Sequence, residues 1–523
     1  MLTYIFLLPL LAAVALVFVP RNFRVVIRGV ALLSMFVTML LAARMFWLFG
    51  NTPPDEHGYR FVSTVPWLGA ESLGIACRLG VDGLNVGLVL MGAIVAFAAV
   101  CCAYEIRERE KEFYILLLTM AGGILGAFMS LDLFFFYFFH ELALVPTFIM
   151  IGVWGRGERK NYATFQITLY LSLGALLVLI GLIALYLQLP PGARTFDIPT
   201  LTRHFAENPM SRSTQSFVFP LLLFGFGILV SLWPFHSWAP LGYGSAPSPT
   251  AMLHAGVLKK FGLYGLVRVA LPMMPEAAQA WMQILAWLCL GNILYVGWVA
   301  MRQRDLNLLI GNSSVAHMGM VFLGIATLNV IGVTGAVVVM VAHGFLAALF
   351  FGLNGYIYNQ TGTLEMDELG GLAKKLRFIG VALTMAALAG CGLPGFANFV
   401  GEFAVFFGAW KEPALRVVTV PAAWGALIIG AVYMLRMVRS VMHGPLPEKW
   451  AKVADAGAWR KVPHVLLLAS LILFGFFPRM LTDKISPVTE QIVGLATGKP
   501  SQVATQPAGL DSRPTTLGHL RTD

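Results

Sequence analysis

The sequence predicts an all-α polytopic membrane protein of about 14 transmembrane helices, containing two inverted five-helix repeats. Three observations predict it. The 523-residue chain is 58% hydrophobic and only 12% charged, so lipid must be the solvent for most of it. Its apolar runs recur at about the 20-residue length a helix needs to cross the hydrocarbon layer. Two of those runs, five spans apart, are broken by proline and glycine.

Runs bounded by charges and breakers give fourteen candidate spans. The first, Leu2–Val19, begins with no basic residue ahead of it and is followed by no clear cleavage site, which predicts a retained span and not a signal peptide. Val25–Phe49 and Leu84–Tyr104 complete an N-terminal group over residues 1–112. Spans four to eight, Phe113–Ser130, Leu133–Val153, Phe165–Leu187, Phe217–Trp233 and Thr250–Leu271, form the first repeat over 113–271. Spans nine to twelve, Ala278–Met301, Leu306–Leu328, Ile331–Tyr358 and Phe378–Gly408, form most of the second over 272–408. Val417–Met437 and Val465–Phe477 lie in 409–480, and 481–523 is expected to be a polar, disordered tail.

Charge tests the count. Alternate loops beginning with Arg21, Arg24 and Arg28 carry 20 Lys and Arg, against 11 in the opposite loops and helix ends. The positive-inside rule places the 20 in the cytoplasm and both termini on the other side. The net charge of +10 is spread between apolar runs, which excludes nucleic acid as a partner. The five cysteines show no C-x-x-C or Cys/His spacing, so no disulfide framework, iron–sulfur cluster or other metal site is expected.

Away from span ends the remaining charges are Glu141, Lys259, Lys260 and Glu402. A charge at the bilayer centre costs at least about 2.5 kcal/mol, so each needs a partner, a wet cavity or a task. One carboxylate near a span end can simply stabilise packing; several unrelated accidents are a poor explanation. Neighbours on a helix point about 100° apart, so one of the two lysines should snorkel or face another helix. Five histidines lie at the same depths: His140, His236, His254, His317 and His343. A lone histidine on an apolar face is usually a hydrogen-bonded core residue, but five beside Glu and Lys are the material of a proton relay.

The stretch "SLWPFHSWAP" puts Pro234, His236 and Pro240 into span seven, and "CGLPGFANFVGE" puts Pro394 and Gly395 into span twelve. Proline removes an amide donor and clashes with the preceding turn, so both prolines in span seven are expected to break the helix. Broken helices at corresponding places of two halves point to a transport site between inverted repeats.

These motifs carry a resemblance. "LGVDGLNVGLVLM", "DLFFFYFFHELALVPTFIMIGVWG", "APSPTAMLHAGVLKKFGLYGLVR", "RDLNLLIGNSSVAHMGMVFLG", "VAHGFLAALFFGLNGYIY" and "GLPGFANFVGEF" resemble, in order and spacing, the antiporter-like membrane subunits of respiratory complex I, nearest to the chain M or chain 4 type, which are related to Mrp-type cation/proton antiporter subunits. The resemblance covers about Gly80 to Arg439. It implies a 14-helix fold in a bacterial inner membrane, other membrane-arm subunits and the lipid bilayer as partners, and proton transfer driven by NADH:quinone oxidoreduction elsewhere. NADH, FMN, iron–sulfur clusters and quinone would belong to partner subunits, and this chain would hold no cofactor. Residue by residue, the resemblance implies relay roles for Glu141, Lys260, Glu402, His317 and His343.

Two places depart from the family pattern. Five residues before Pro234, where the family usually has a lysine paired with the span-five glutamate, stands Leu229; and Asp305 is followed by Leu306 and Asn307, with no lysine. His140, His236, His254 or Lys259 would then be auxiliary relay groups, unless the subunit is proton-blocked and structural. A cation/proton antiporter subunit, or a membrane subunit of a hydrogenase or an inorganic-carbon uptake complex, would share the same motifs.

Overall fold

The computed structural model describes residues 1–67 and 73–499. The apolar runs fold as α1 (Leu2–Phe18), α2 (Arg24–Leu48), α3 (Val86–Cys102), α4 (Glu110–Met129), α5 (Leu133–Trp154), α6 (Lys160–Leu187) and α7 (Arg212–Val230). There follow α8 (residues 248–273), α9 (Pro275–Arg302), α10 (Leu306–Ala326), α11 (Val330–Thr361), α12 in halves Arg377–Gly390 and Ala397–Lys411, α13 (Pro413–Met442), α14 (Ala458–Phe476) and α15 (Arg479–Thr497). Among the described residues eleven helices are long and apolar enough to cross a membrane. The other three expected spans miss that set for evident reasons: α1 has 17 residues, α8 is interrupted by wide turns, and α12 is split. The protein is a multi-pass, almost wholly helical membrane protein.

Burial orders the bundle. α10 and α11 are buried on nearly every face, and α11 packs against α3, α10, α14, α15 and the second half of α12. Helices α2, α6 and α13 expose large apolar residues such as Trp47, Phe165 and Val417, as lipid-facing helices should. Polar side chains on α10 and α11 therefore face other helices, not lipid.

The α7 helix ends at Val230 with Ser231 in the left-handed region, and a second segment, Trp238–Ser245, resumes the path. Pro240 is corrected here: it lies in the first turn of that segment, where no amide donor is needed, so it starts a helix and does not stop one. Asn292 of α9 satisfies the groups freed by the break. Its side chain accepts from the Trp233 amide at 2.7 Å and donates to the Ser231 carbonyl at 2.9 Å. The α12 break falls at Gly392, Pro394 and Gly395, as expected; both glycines have positive φ, +67° and +104°, which side chains rarely adopt.

Three elements were not legible as spans. β1 (Arg60–Pro66) pairs antiparallel with β2 (Ala76–Val81), and a short helix, Ile198–Glu207, is capped by Asp197 accepting from the Thr200 amide. The third corrects the expected polar tail over 481–523. Residues 479–497 form α15, which buries Leu481, Ile485, Thr489, Ile492, Val493 and Ala496 at helical spacing. Gly83 permits that docking, since a Cβ there would overlap the Lys484 carbonyl. Residues 500–523, where the rest of the expected tail lies, are outside the described residues.

Candidate functional site

The α8 helix carries two π-helical turns, His254–Leu258 and Leu266–Ala270. Each holds an extra residue per turn, a feature frequent at functional sites. Lys259 and Lys260 follow the first, and both are fully buried. Lys259 does not snorkel; it faces other elements. Its Nζ donates to Ser314 Oγ of α10 at 3.2 Å and lies 5.5 Å from the Tyr243 ring centroid. Lys260 Nζ donates to the Ala255 carbonyl at 2.6 Å and lies 2.9 Å from His343 Nδ1 on α11.

From Lys260 the buried polar groups continue laterally. The His343 and His317 rings lie 5.4 Å apart between centroids. His317 is held by the Ser313 carbonyl, 2.8 Å from Nδ1, and its Nε2 is 3.8 Å from Glu402 Oε1. Glu402 stands just past the α12 break, and Gly392 leaves room for its carboxylate. Tyr433 OH is 3.1 Å from Ser313 Oγ. A cavity of about 10 Å³ between His317, Glu402, Tyr433 and Met320 approaches the size of a single water. Lys260, His343, His317 and Glu402 thus form one chain across α8, α11, α10 and α12.

Glu141 stands apart from that chain. Its Oε1 is buried without a hydrogen-bond partner, while the side chain as a whole is 33% exposed. His140 Nδ1 lies 3.5 Å from Glu141 Oε1, and its ring stacks on Phe261 at 4.0 Å. Among the described residues no hydrogen bond joins Glu141 to either lysine. His254 lies between Trp238 and Tyr243, at 5.5 and 5.4 Å, with Nδ1 unpartnered. His236 sits at the α7 break, edge-on to Tyr295, with Nδ1 unpartnered. Leu229 is buried against α6, where a Cβ added at Gly174 would come within 3.1 Å of it. No charge occupies the family's lysine position.

A model of the family described as "NADH:quinone oxidoreductase/Mrp antiporter, TM" matches residues 130–429. The chain belongs to this family. NAD(P)H-quinone oxidoreductase chain 4 of Gloeobacter violaceus is 32% identical over 97% of this chain and 95% of its own length. NADH-quinone oxidoreductase subunit M of Rhodobacter capsulatus is 32% identical over 94% and 96%. Among solved structures, a chain of respiratory complex I from Thermus thermophilus superimposes with a TM-score of 0.84 at 27% identity, over 95% of this chain and all of that one. A chain of the Mrp complex from Dietzia sp. shares the fold, with a TM-score of 0.79 at 18% identity over 95% and 99%.

Several residues around this buried chain were not singled out from the sequence. Ser313 and Ser314 precede His317 by four and three residues on one helix, so the spacing in "SSVAH" was the available signal. Tyr433 and Asn292 come from distant helices, and no local pattern announces them. Arg268, also on α8, is buried and donates to Asp82 at 2.6 Å, to Tyr59 OH at 3.2 Å and to Tyr264 OH at 3.3 Å. Asp305, where the expected lysine is missing, caps α10 by accepting from the Leu308 amide at 2.8 Å. Burial pushes its carboxyl up to about 6, and nearby Glu365 adds to the shift. Among the described residues no three His, Cys, Asp or Glu side chains gather as metal ligands.

Proposed function

We propose that this chain is a proton-translocating membrane-arm subunit of a complex I-type NADH:quinone oxidoreductase in a bacterial inner membrane, with both termini on the non-cytoplasmic side. The observation that carries the proposal is the buried chain Lys260, His343, His317 and Glu402. These are acids and bases in a low-dielectric interior, where each protonation changes its neighbour's affinity. Protons would reach Glu141 and Lys260 through hydrated half-channels, pass the two histidines, and leave by Glu402. The breaks in α7 and α12 would lie at matched places of two inverted repeats and give those half-channels room to hydrate. NADH, FMN, iron–sulfur clusters and quinone would sit in partner subunits; the relatives' names support the NADH and quinone part of that assignment. Glu141 would exchange its proton with the help of His140, since Leu229 supplies no charge.

The test uses membrane vesicles containing the assembled complex. With Lys260→Met or Glu402→Gln, proton transfer through this chain should fall by about 10²-fold or more, the scale of losing an acid–base group. NADH-driven proton uptake and the complex's assembly are measured together. Unchanged pumping in both variants of an assembled complex would overturn the proposal. The family's Mrp branch favours one second reading, a cation/proton antiporter subunit; transport that requires sodium and ignores NADH would select it.

A further inference from the structure

A large apolar cavity among the described residues has no part in the proposed relay. It is a groove of about 860 Å³ on the lipid-facing side, walled by Phe46 of α2, Ile94 of α3 and a strip of α14 from Leu466 to Phe477, with Met480 of α15 at one end. The wall is almost wholly apolar, with Ser470 its one polar side chain. The α14 strip runs about 16 Å at the helical rise, close to half of a hydrocarbon layer about 30 Å thick. That is the depth of one leaflet's acyl chains.

The groove ends at two cations. Lys484 Nζ lies 5.0 Å from the Phe46 ring centroid and 5.7 Å from that of Phe49. Arg60 Cζ lies 4.2 Å from the same Phe49 ring. The two cations flank a polar pocket of about 370 Å³, which His57 and Gln491 also line. Neither makes an ion pair among the described residues; of the two carboxylates that also line the pocket, Asp82 is paired with Arg268 and Asp483 adjoins Lys484 in sequence. Arg60 Nε is held by the Thr52 carbonyl at 2.8 Å, and Lys484 by the close docking of α15 on Gly83. An apolar slot one leaflet deep, headed by two fixed and unpaired cations, has the chemistry of a phospholipid whose headgroup carries a net negative charge.

We infer that the groove between α2, α3 and α14 binds an anionic phospholipid, its acyl chain along Leu466–Phe477 and its phosphate between Arg60 and Lys484. A quinone tail or a neighbouring subunit's helix would suit the apolar wall but leave the two cations unanswered. Bound there, the lipid would tie the end of α2 to the start of α15.

The purified complex is incubated with phosphatidylglycerol or phosphatidylcholine bearing a diazirine in the acyl chain, illuminated and digested, and the labelled peptides are quantified. The expected result is labelling of 466–480, stronger for phosphatidylglycerol by about fivefold for each cation engaged. Arg60→Gln with Lys484→Gln should abolish the preference yet leave some labelling of the strip. Ala469→Trp, which fills the groove, should remove labelling by both lipids. Should that bulky variant fail to assemble, the paired Gln variant decides alone. Equal labelling by the two lipids in the unaltered complex would overturn the inference, as would a preference untouched by the Gln pair or absence of label from 466–480.

Discussion

Glu141 and Leu229 bear on the proposed relay at a single position. In the family a lysine faces the span-five glutamate; in this chain Leu229 packs on α6, and His140 Nδ1 lies 3.5 Å from Glu141. Leu229→Lys should therefore move the pH profile of NADH-driven proton uptake, because a new cation near a carboxylate favours its ionised form. An identical profile would remove any role for the missing lysine. His140→Phe keeps the stacking on Phe261 and should slow uptake by about 10²-fold if His140 assists Glu141. Asp305 gives a separate pH test outside the spans. Its folded pKa of about 6 lies above the ordinary carboxylate value, so the folded state holds the proton more tightly. Its stabilising share is full below about pH 4 and is lost as pH rises through 6, up to about 3 kcal/mol. Asp305→Asn keeps the carbonyl that caps α10 and should flatten that slope in thermal unfolding measured between pH 4 and 7.

At the level of elements, most of what places the relay was legible because apolar length and helix breakers are local signals. Glu402, His317 and His343 could be marked from their place in apolar runs, whereas Lys260 is singled out from its neighbour Lys259 only through the family resemblance. What joins them could not be read. The π-helical turn before Lys259 has no reliable sequence signature, yet it lets adjacent lysines reach α10 and α11 separately. Asn292 is likewise invisible locally, since its partners Trp233 and Ser231 are some sixty residues away. Asn292→Ala would leave a buried amide and carbonyl unpaired, at about 1–3 kcal/mol each. The expected outcome is a lower unfolding temperature for the complex, with Asn292→Asp restoring only the acceptor half. The tail was misjudged because α15 is polar on one face and short of hydrophobic length; its apolar stripe has meaning only against α11 and Gly83.

Across the whole molecule, the buried Arg268–Asp82 pair ties α8 to the segment leading into α3, with Tyr59 before β1 and Tyr264 completing its shell. Arg268→Ala strands a carboxylate in the interior and should cost about 3–5 kcal/mol; the double change with Asp82→Ala should recover part of it. Assembled yield and thermal unfolding of the complex would measure both. The relay itself has a different reach. Lys260, His343 and His317 each sit near the middle of their own helix and Glu402 lies in the second half of α12, so in the proposed relay a proton passing among the first three would travel largely parallel to the membrane plane. Voltage acts only along the perpendicular, where a full crossing by one charge is worth about 2.3 kcal/mol per 100 mV. The central hops would then be electrically silent, and the work done against the membrane potential would fall on the two vertical legs that connect the axis to either aqueous phase.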